Sequence, residues 1–296
     1  MASNPVHGME TWAVLVVSRD GQQILVRTEE ENLSLPQIAI PAHERVAANL
    51  NRVLQQDLGM PVVSLYPILP TDSERSARFP YHAATVLSPK CDLPQGTAWK
   101  FIPDLSPHSF PCEEDFSAIH AFRTGLERKD TTREKEPFLK PDWFWAVTRW
   151  IEDARRSHGR RLTRPFEQFN ADSIFSLIRF ESNRAPVWFK AVGEANSREF
   201  PITLALAQLC PARLPKILAS NPEWNAWLAE EASGVCLSAR PDQRLWEDVA
   251  ASLAHLQILS IPVTDVLRTA GARDLAGAPL RSLVERSEER RVGKEC

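Results

Sequence analysis

Lys190 and Glu199 combine residue types and a spacing that could hold an anion. Lys190 lies within the apolar run 187–192, which predicts a β-strand, and Glu199 stands at the head of the apolar run 200–209, which predicts a helix. An ammonium in an apolar strand is costly unless an anion meets it, so a carboxylate nine positions later favours an ion pair. The alternative is an edge-strand lysine that extends into water, with an unrelated glutamate.

The segments around this pair predict a small sheet with one helix. The run 174–180 alternates like a strand, and 181–186 predicts a turn before the lysine strand. Two short extended segments follow the helix, at 214–219 and 224–231, and Gly234 closes the second. The predicted order is therefore strand, lysine strand, glutamate helix and two further strands.

This order resembles the aminoglycoside phosphotransferase-like family over roughly residues 166–283. The resemblance is carried by F-K-A at Lys190, E-F-P-I-T-L-A-L-A from Glu199, L-P-K-I-L-A from Leu214 and W-L-A-E-E-A-S-G from Trp227. In that family a lysine strand precedes a glutamate helix, a strand opening with Val-Pro or Leu-Pro, and a hinge strand ending in acidic residues and glycine. The implied fold is a protein-kinase-like N-lobe with an incomplete helical C-lobe.

The resemblance implies roles for the paired residues. Lys190 would contact the phosphates of ATP, and Glu199 would orient Lys190. Pro201 fits only the first turn of a helix, so Glu199 is expected at or just outside the helix start.

The resemblance also implies where the rest of the nucleotide would lie. The backbone of 228–231, which includes Glu230, would bind the adenine edge. Ser173 lies in a loop, 169–173, that lacks G-x-G, so phosphate cover would depend on small side chains and backbone N–H groups. ATP with Mg²⁺ would be the cofactor in the intact parent, and a small hydroxyl-bearing molecule would accept the phosphoryl group.

The catalytic half of such an enzyme is absent from the sequence. A phosphotransferase of this type needs an aspartate base, usually in H-G-D, and a later aspartate for Mg²⁺. None of the seven histidines is followed by Gly-Asp or Arg-Asp, and His255 lies in an amphipathic helical pattern typical of a satisfied helix residue. We therefore predict no catalytic residue, no metal site and no phosphotransfer by this chain.

Two function hypotheses from different classes remain open. In the first, the chain is a fragment of an ATP-dependent phosphotransferase. In the second, it is a non-catalytic nucleotide-binding or regulatory protein built from pseudo-Nudix and pseudokinase modules. A histidine-x-aspartate loop in downstream sequence would separate them.

The last eleven residues, 286–296, break from the apolar helical pattern before them. They resemble the in-frame translation of a short-read sequencing adapter, and we expect the genuine protein to continue past Val284 or Glu285. A solvated charged tail is the alternative.

Composition is that of a globular chain, with 43% hydrophobic and 25% charged residues. The net charge of −3 favours neither nucleic acid nor an anionic membrane as a partner. No apolar run approaches the roughly 20 residues of a membrane span, and residues 1–9 lack a signal-peptide pattern. The five cysteines show no metal-ligand spacing, so we expect a reducing, cytoplasmic location.

The N-terminal half predicts a second α/β unit. Runs 11–17 and 22–27 flank Asp20-Gly21 and predict a hairpin, and a helix is expected over 43–58, ended by Gly59. Further strands are predicted at 62–68, 81–87 and 98–102.

This order resembles the Nudix fold, with a W-A-V-L-V-V strand, an L-P segment and one helix that ends in glycine. When the Nudix box is aligned on Gly59, several positions keep the pattern, namely Glu44, Arg52, Leu54 and Met60. Three positions depart from it, because Ile38 replaces the opening glycine, Val53 a glutamate, and Gln56-Asp57 the metal-binding pair. Glutamine is a poor ligand for a hard cation, so we predict a Nudix-like scaffold without hydrolysis. Any other α/β domain of this order is the alternative.

A polar connection and one tryptophan-rich helix separate the two halves. Residues 113–141 are expected to form a solvated linker or an exposed helix end, and 141–157 a helix that docks between the domains. Trp143, Trp145 and Trp150 are expected in core or interface positions rather than as a platform for bases. The predicted α+β division is a Nudix-like domain over 1–135, a linker helix over 136–165, a kinase-like N-lobe and C-lobe start over 166–285, and a tail over 286–296.

Overall fold

The computed structural model describes residues 8–42, 44–68, 80–88, 93–127, 137–156, 161–234, 237 and 242–274. The predicted tail therefore lies outside the described residues. The chain divides into two compact units, the first comprising Met1–Ser197 with Ile217–Glu231, and the second Arg198–Lys216 with Ala232–Cys296. The fold is a mixed α+β fold, as expected.

The first unit contains a seven-stranded mixed sheet built from the N-terminal half. Its strands are β1 (Met9–Val17), β2 (Gln23–Glu29), β3 (Asn32–Ser34), β4 (Gln37–Pro41), β5 (Val62–Ile68), β6 (Tyr81–Val86) and β7 (Thr97–Phe101). The order is β3-β2-β1-β6-β5, and β4 pairs with β1 and β7 with β2. Among the described strands of this sheet, β1 and β6 run parallel and the other neighbouring pairs are antiparallel.

The predicted hairpin is present, but β1 and β2 share only its closed end. Gly21 adopts a φ of 69°, and Val17 is the residue of β1 that registers with β2, opposite Ile24. Beyond this point β1 leaves β2 and pairs with β4 over Met9–Ala13, while β2 pairs with β3 and β7. The turn residues predicted the reversal of the chain. The strands with which β1 and β2 pair beyond the turn were decided by the later strands β3, β4 and β7.

Two helices cover opposite faces of this sheet. Helix α1 (Val46–Asp57) buries Leu50 and Leu54 in a core cluster with Val14 and Val16 of β1. It ends as expected, because Gly59 takes a left-handed φ of 63° and Met60 N–H donates to the carbonyl of Leu54. Helix α2 (Glu113–Glu127) packs on the other face.

Helix α2 corrects the prediction of a solvated segment over 113–141. Three of its residues, Ala118, Ile119 and Phe122, are fully buried and join the larger core cluster. The high charge of its first turn hid this apolar stripe, because Glu113, Glu114 and Asp115 favour a helix N-terminus as well as a solvated linker. The densest charged part of the predicted linker, 128–136, lies outside the described residues.

A second sheet in the first unit has five antiparallel strands. They are β8 (Leu162–Ala171), β9 (Phe175–Ser182), β10 (Val187–Val192), β11 (Ile217–Asn221) and β12 (Ala226–Glu230), in the order β11-β12-β10-β9-β8. Strand β8 was not predicted, and 169–171 belong to it rather than to a loop before the first strand. The missed strand carries Pro165 and five polar residues, which weaken its period-two pattern.

Helix α3 (Trp143–Arg156) covers one face of the five-stranded sheet, as its wide apolar surface predicted. Its Phe144 ring lies 4.6 Å from the ring of Phe166 and 6.0 Å from that of Phe180. It also touches the first sheet, since the Arg19 guanidinium of the β1–β2 turn stands 4.4 Å over the Trp145 ring. The helix therefore contacts both halves of the first unit.

The second unit contains α4 (Glu199–Leu209), α5 (Gln243–Ser260) and α6 (Thr264–Thr269). Pro201 lies in the first turn of α4, and Glu199 is the first residue, as predicted. Within the described residues, Gln243–Thr269 is long and apolar enough by length and composition to cross a membrane, with mean hydropathy 1.4 and 0% buried. One such helix is weak evidence for a span, and Arg213 donates to Ser252 Oγ at 2.6 Å in its middle.

Candidate functional site

The predicted lysine lies in the middle of the five-stranded sheet. β10 has β12 on one side and β9 on the other, so the alternative of an edge-strand lysine does not apply. Side chains alternate along a strand, and Phe189 is fully buried against α3, with its ring 6.1 Å from that of Trp143. Lys190 and Trp188 therefore lie on the opposite face, which we call the open face.

Two aromatic rings hold the ammonium of Lys190. Its Nζ lies 4.9 Å from the ring centre of Phe175 and 5.6 Å from that of Trp227. Trp227 of β12 and Leu177 of β9 stand directly opposite Lys190 in the two ladders. Such cation–π contacts stabilise an ammonium beside an aromatic face.

The other predicted site residues lie in a turn, at the end of a strand and at the start of a helix. Ser173 is exposed in the turn between β8 and β9, and Glu230 is the last residue of β12. Glu199 begins α4 in the second unit, whereas the other three residues belong to the first unit. The ion pair between Lys190 and Glu199 therefore stays a prediction.

The turn before β9 is closed by a carboxylate. Asp172 Oδ1 accepts hydrogen bonds from the backbone N–H groups of Ile174 at 2.7 Å and Phe175 at 2.8 Å. Its Oδ2 accepts from Asn170 Nδ2 at 2.9 Å. These two N–H groups directly follow the loop 169–173 that was expected to cover the phosphates, and an aspartate of the same turn occupies them.

A charged cluster on the open face was missed by the sequence analysis. Arg179 donates to both carboxylate oxygens of Glu231, from Nε at 2.7 Å and from Nη2 at 3.1 Å, and it also contacts Glu181. Hydrogen bonding from Arg179 is the main cause that lowers the pKa of the Glu231 carboxyl, and Glu231 raises the pKa of Arg179 in turn. The signal was the alternation that puts 179, 181 and 231 on the same face as Lys190.

Trp188 extends this cluster toward β8. Its side chain forms a hydrogen bond with Glu231 that further lowers the pKa of that carboxyl. Its ring lies 4.8 Å from the ring of Phe169, and Phe169 in turn lies 5.5 Å beneath the Arg45 guanidinium. The open face thus carries cations beside aromatic rings.

The Nudix-box positions form a hydrogen-bonded network along α1 and the residues just before it. Arg52 donates to Gln56 Oε1 at 3.0 Å and to Asn49 Oδ1 at 2.9 Å. Asn49 Nδ2 donates to Glu44 Oε2 at 2.9 Å. Glu44, the glutamate of the Nudix box that this sequence keeps, is therefore hydrogen-bonded to the side-chain amide of Asn49. Within the described part of the chain, no three His, Cys, Asp or Glu side chains stand close enough to share a metal ion.

His82 of β6 is a buried imidazole that the sequence analysis did not single out. It is 2% exposed, and neither ring nitrogen has a hydrogen-bond partner among the described residues. Burial lowers its pKa to about 3, although the negative charge of Asp172 acts in the opposite direction. His82 is therefore neutral in the folded protein at physiological pH.

No protein-family model matches the chain, and no curated protein matches it significantly. Solved structures match part of it. The Escherichia coli ORF135 protein is 16% identical with a TM-score of 0.33, covering 42% of this chain and 94% of that one. A NUDIX-family hydrolase from Clostridium perfringens is 17% identical with a TM-score of 0.29, covering 40% and 97%.

An ADP-ribose pyrophosphatase from Streptococcus suis is 14% identical with a TM-score of 0.30, covering 41% of this chain and 94% of that one. Over part of the chain the neighbours are thus Nudix-like. At TM-scores this low the likeness carries no argument about the activity, substrate or site residues of this chain.

Proposed function

We propose that the five-stranded sheet forms an ATP-binding module of the aminoglycoside phosphotransferase-like kind. The observation that carries the proposal is the position of Lys190 at the centre of the sheet's open face, with Phe175 and Trp227 around its ammonium. A cation fixed in this way suits the triphosphate of a nucleotide. In a phosphotransferase of this kind, the γ-phosphoryl group passes to a small hydroxyl-bearing molecule.

The order of elements supports this proposal. The lysine strand β10 is followed by α4, which begins at Glu199, and then by β11, which follows Leu214-Pro215. β12 ends at Glu230, directly before a second glutamate. Each step agrees with the family order that the sequence motifs indicated.

The proposed module binds nucleotide but contains no candidate catalytic base. The one histidine downstream of Lys190, His255, is exposed on α5, and its Nδ1 lies 2.8 Å from Arg213 Nη2. Among the described residues after Gly234, no aspartate follows a histidine in the pattern that positions a base. We propose that Lys190 and the backbone of 228–231 bind ATP, with Ser173 near its phosphates.

Replacing Lys190 tests the proposal. Lys190→Met keeps the apolar stem but removes the charge-assisted contact, which contributes about 1.5–3 kcal/mol. The ATP dissociation constant, measured by calorimetry with Mg²⁺ present, should rise by roughly one to two orders of magnitude.

The matched control is Lys100→Met, because Lys100 is an exposed strand lysine on β7 of the other sheet. The control should leave ATP affinity unchanged, and the urea midpoint of Lys190→Met should stay close to that of the parent. Equal ATP affinity in the Lys190→Met and Lys100→Met variants would show that Lys190 does not bind ATP, which would contradict the proposal.

A further inference from the structure

We propose that a groove beside the start of α2 binds a small aromatic amine in its protonated form. The groove has a volume of about 560 Å³ and lies between the short 3-10 helix Pro107–Ser109 and α2. Pockets that bind small molecules commonly have volumes of about 300–1,000 Å³. The groove belongs to the first sheet and its helices, so the proposal goes beyond the nucleotide site at Lys190 and is independent of it.

One side of α2 forms a wall of the groove. Four lining residues stand three or four positions apart along this helix and therefore share one side of it: Glu113, Phe116, Ser117 and His120. Glu113 carries a carboxylate at one end of this row. Ser117 and His120 carry groups that donate or accept hydrogen bonds. A ligand in the groove therefore meets hydrogen-bonding groups beside an apolar surface.

The apolar part of the groove is aromatic. The ring centroids of Phe110 and Phe116 lie 6.0 Å apart, with an interplanar angle of 49°. Phe110 is 4% exposed and forms the floor, whereas Phe116 is half-buried. An aromatic ring packs against a second ring and attracts a cation to its face. A ligand that joins a ring to an ammonium can make both contacts.

The charge along the groove favours a cation. Residues 101–122 contain no Lys or Arg and four acidic residues, namely Asp104, Glu113, Glu114 and Asp115. Clustered carboxylates create a negative potential that attracts cations and repels anions. Glu113 is exposed and lines the groove, so we assign it as the partner of the ammonium. An anionic ligand such as a nucleotide does not suit this surface.

A buried carboxylate holds the start of α2 in place. Asp115 is 3% exposed, and its two oxygens accept hydrogen bonds from the Tyr81 hydroxyl at 2.9 Å and the Leu35 N–H at 3.1 Å. On the other wall, the Phe110 N–H donates to the carbonyl of Pro107 at 3.1 Å. A site that is ordered before binding loses little conformational entropy when a ligand enters it.

Three probes that share a phenol ring test the preference for a cation. Tyramine carries an ammonium on a two-carbon chain, 4-ethylphenol carries no charge, and 3-(4-hydroxyphenyl)propionate carries a carboxylate. Each is titrated into the whole chain at pH 8, where an ordinary imidazole is uncharged, and ligand-observed NMR measures the dissociation constant. Tyramine should bind roughly fivefold more tightly than 4-ethylphenol, and the propionate more weakly than both. Tyramine binding no tighter than that of either other probe would overturn the proposal.

Two variants locate the contacts. Glu113→Gln removes the charge but keeps the shape of the side chain, so the preference for tyramine over 4-ethylphenol should disappear. Phe116→Leu keeps apolar volume without an aromatic face and should weaken tyramine binding roughly threefold. The matched control is Glu127→Gln, which removes the same charge at the other end of α2 and should keep the parent's preference.

Equal preferences for tyramine in the Glu113→Gln and Glu127→Gln variants would contradict the assignment of Glu113. Urea midpoints close to that of the parent would confirm that each variant is folded. The comparison of the three probes on the unmodified chain needs no variant, so it tests the proposal even if a substitution prevents folding.

Discussion

The side-chain amide of Gln168 forms two hydrogen bonds with the backbone of Ser64, 104 residues earlier in the chain. Gln168 Oε1 accepts from Ser64 N–H at 2.8 Å, and Nε2 donates to the Ser64 carbonyl at 2.9 Å. Asn51 of α1 donates to the same Oε1 at 2.9 Å. The amide replaces a backbone partner where the pairing of β5 is irregular between Ser64 and Tyr66, and it fixes β8 against the first sheet.

Removing this amide should destabilise the first unit. Gln168 is 1% exposed, so Gln168→Ala leaves the buried Ser64 N–H and carbonyl without partners. We expect a loss of about 2–4 kcal/mol in the free energy of unfolding, measured by urea denaturation. Gln37→Ala, at an exposed glutamine of β4, is the matched control and should cost far less. Equal losses in the two variants would show that the bridge is not stabilising.

His82 should make the fold sensitive to acid. Its folded pKa of about 3 lies below the unfolded value of 6.5, so the stability it contributes is complete above pH 6.5 and is lost as pH falls toward 3. The free energy of unfolding should fall by at most about 1.4 kcal/mol per pH unit from this group. His82→Leu should flatten the profile between pH 6.5 and 4.5, measured by denaturation at several pH values. His120→Leu, at an exposed histidine of α2, should keep the parent's slope.

Asp172 should oppose phosphate binding at the turn before β9. Its carboxylate occupies the N–H groups of Ile174 and Phe175, and its charge repels a nearby phosphate. Asp172→Asn keeps an acceptor oxygen but removes the charge, so tripolyphosphate affinity should rise about twofold, or about 0.5 kcal/mol. Calorimetry at low salt would measure this, with Asp104→Asn, in the short 3-10 helix that follows β7, as the control. A weaker affinity would indicate that Asp172 positions the loop for its ligand.

The Nudix-like part of the first unit should not hydrolyse nucleoside diphosphate derivatives. Arg52 bonds to the neutral side chains of Gln56 and Asn49, and Glu44 accepts from Asn49, so the box lacks the clustered charge that Mg²⁺ requires. Phosphate release from ADP-ribose with Mg²⁺ and a coupled phosphatase should match the buffer blank. Strong hydrolysis that Gln56→Glu leaves unchanged would contradict this interpretation of the box.

The local pattern of the sequence determined most of the helices and strands. Apolar alternation predicted β10 with Lys190 inside it, Pro201 predicted that Glu199 begins a helix, and Gly59 predicted the end of α1. These features depend on a few adjacent residues, through strand periodicity, the missing N–H of proline and the left-handed φ of glycine. These features can therefore be predicted without a tertiary structure.

Contacts between distant segments decided the rest. The burial of α2, the existence of β8 and the hydrogen bonds of Gln168 with Ser64 all depend on partners about 100 residues away or in other elements. On the open face, Trp188 interacts with Glu231 and Phe169, which lie 43 positions later and 19 positions earlier in the chain. The alternation of residues along a strand predicts the face of the sheet on which each side chain lies. Its neighbours on that face depend on strand order and register, which are set by the packing of the whole unit.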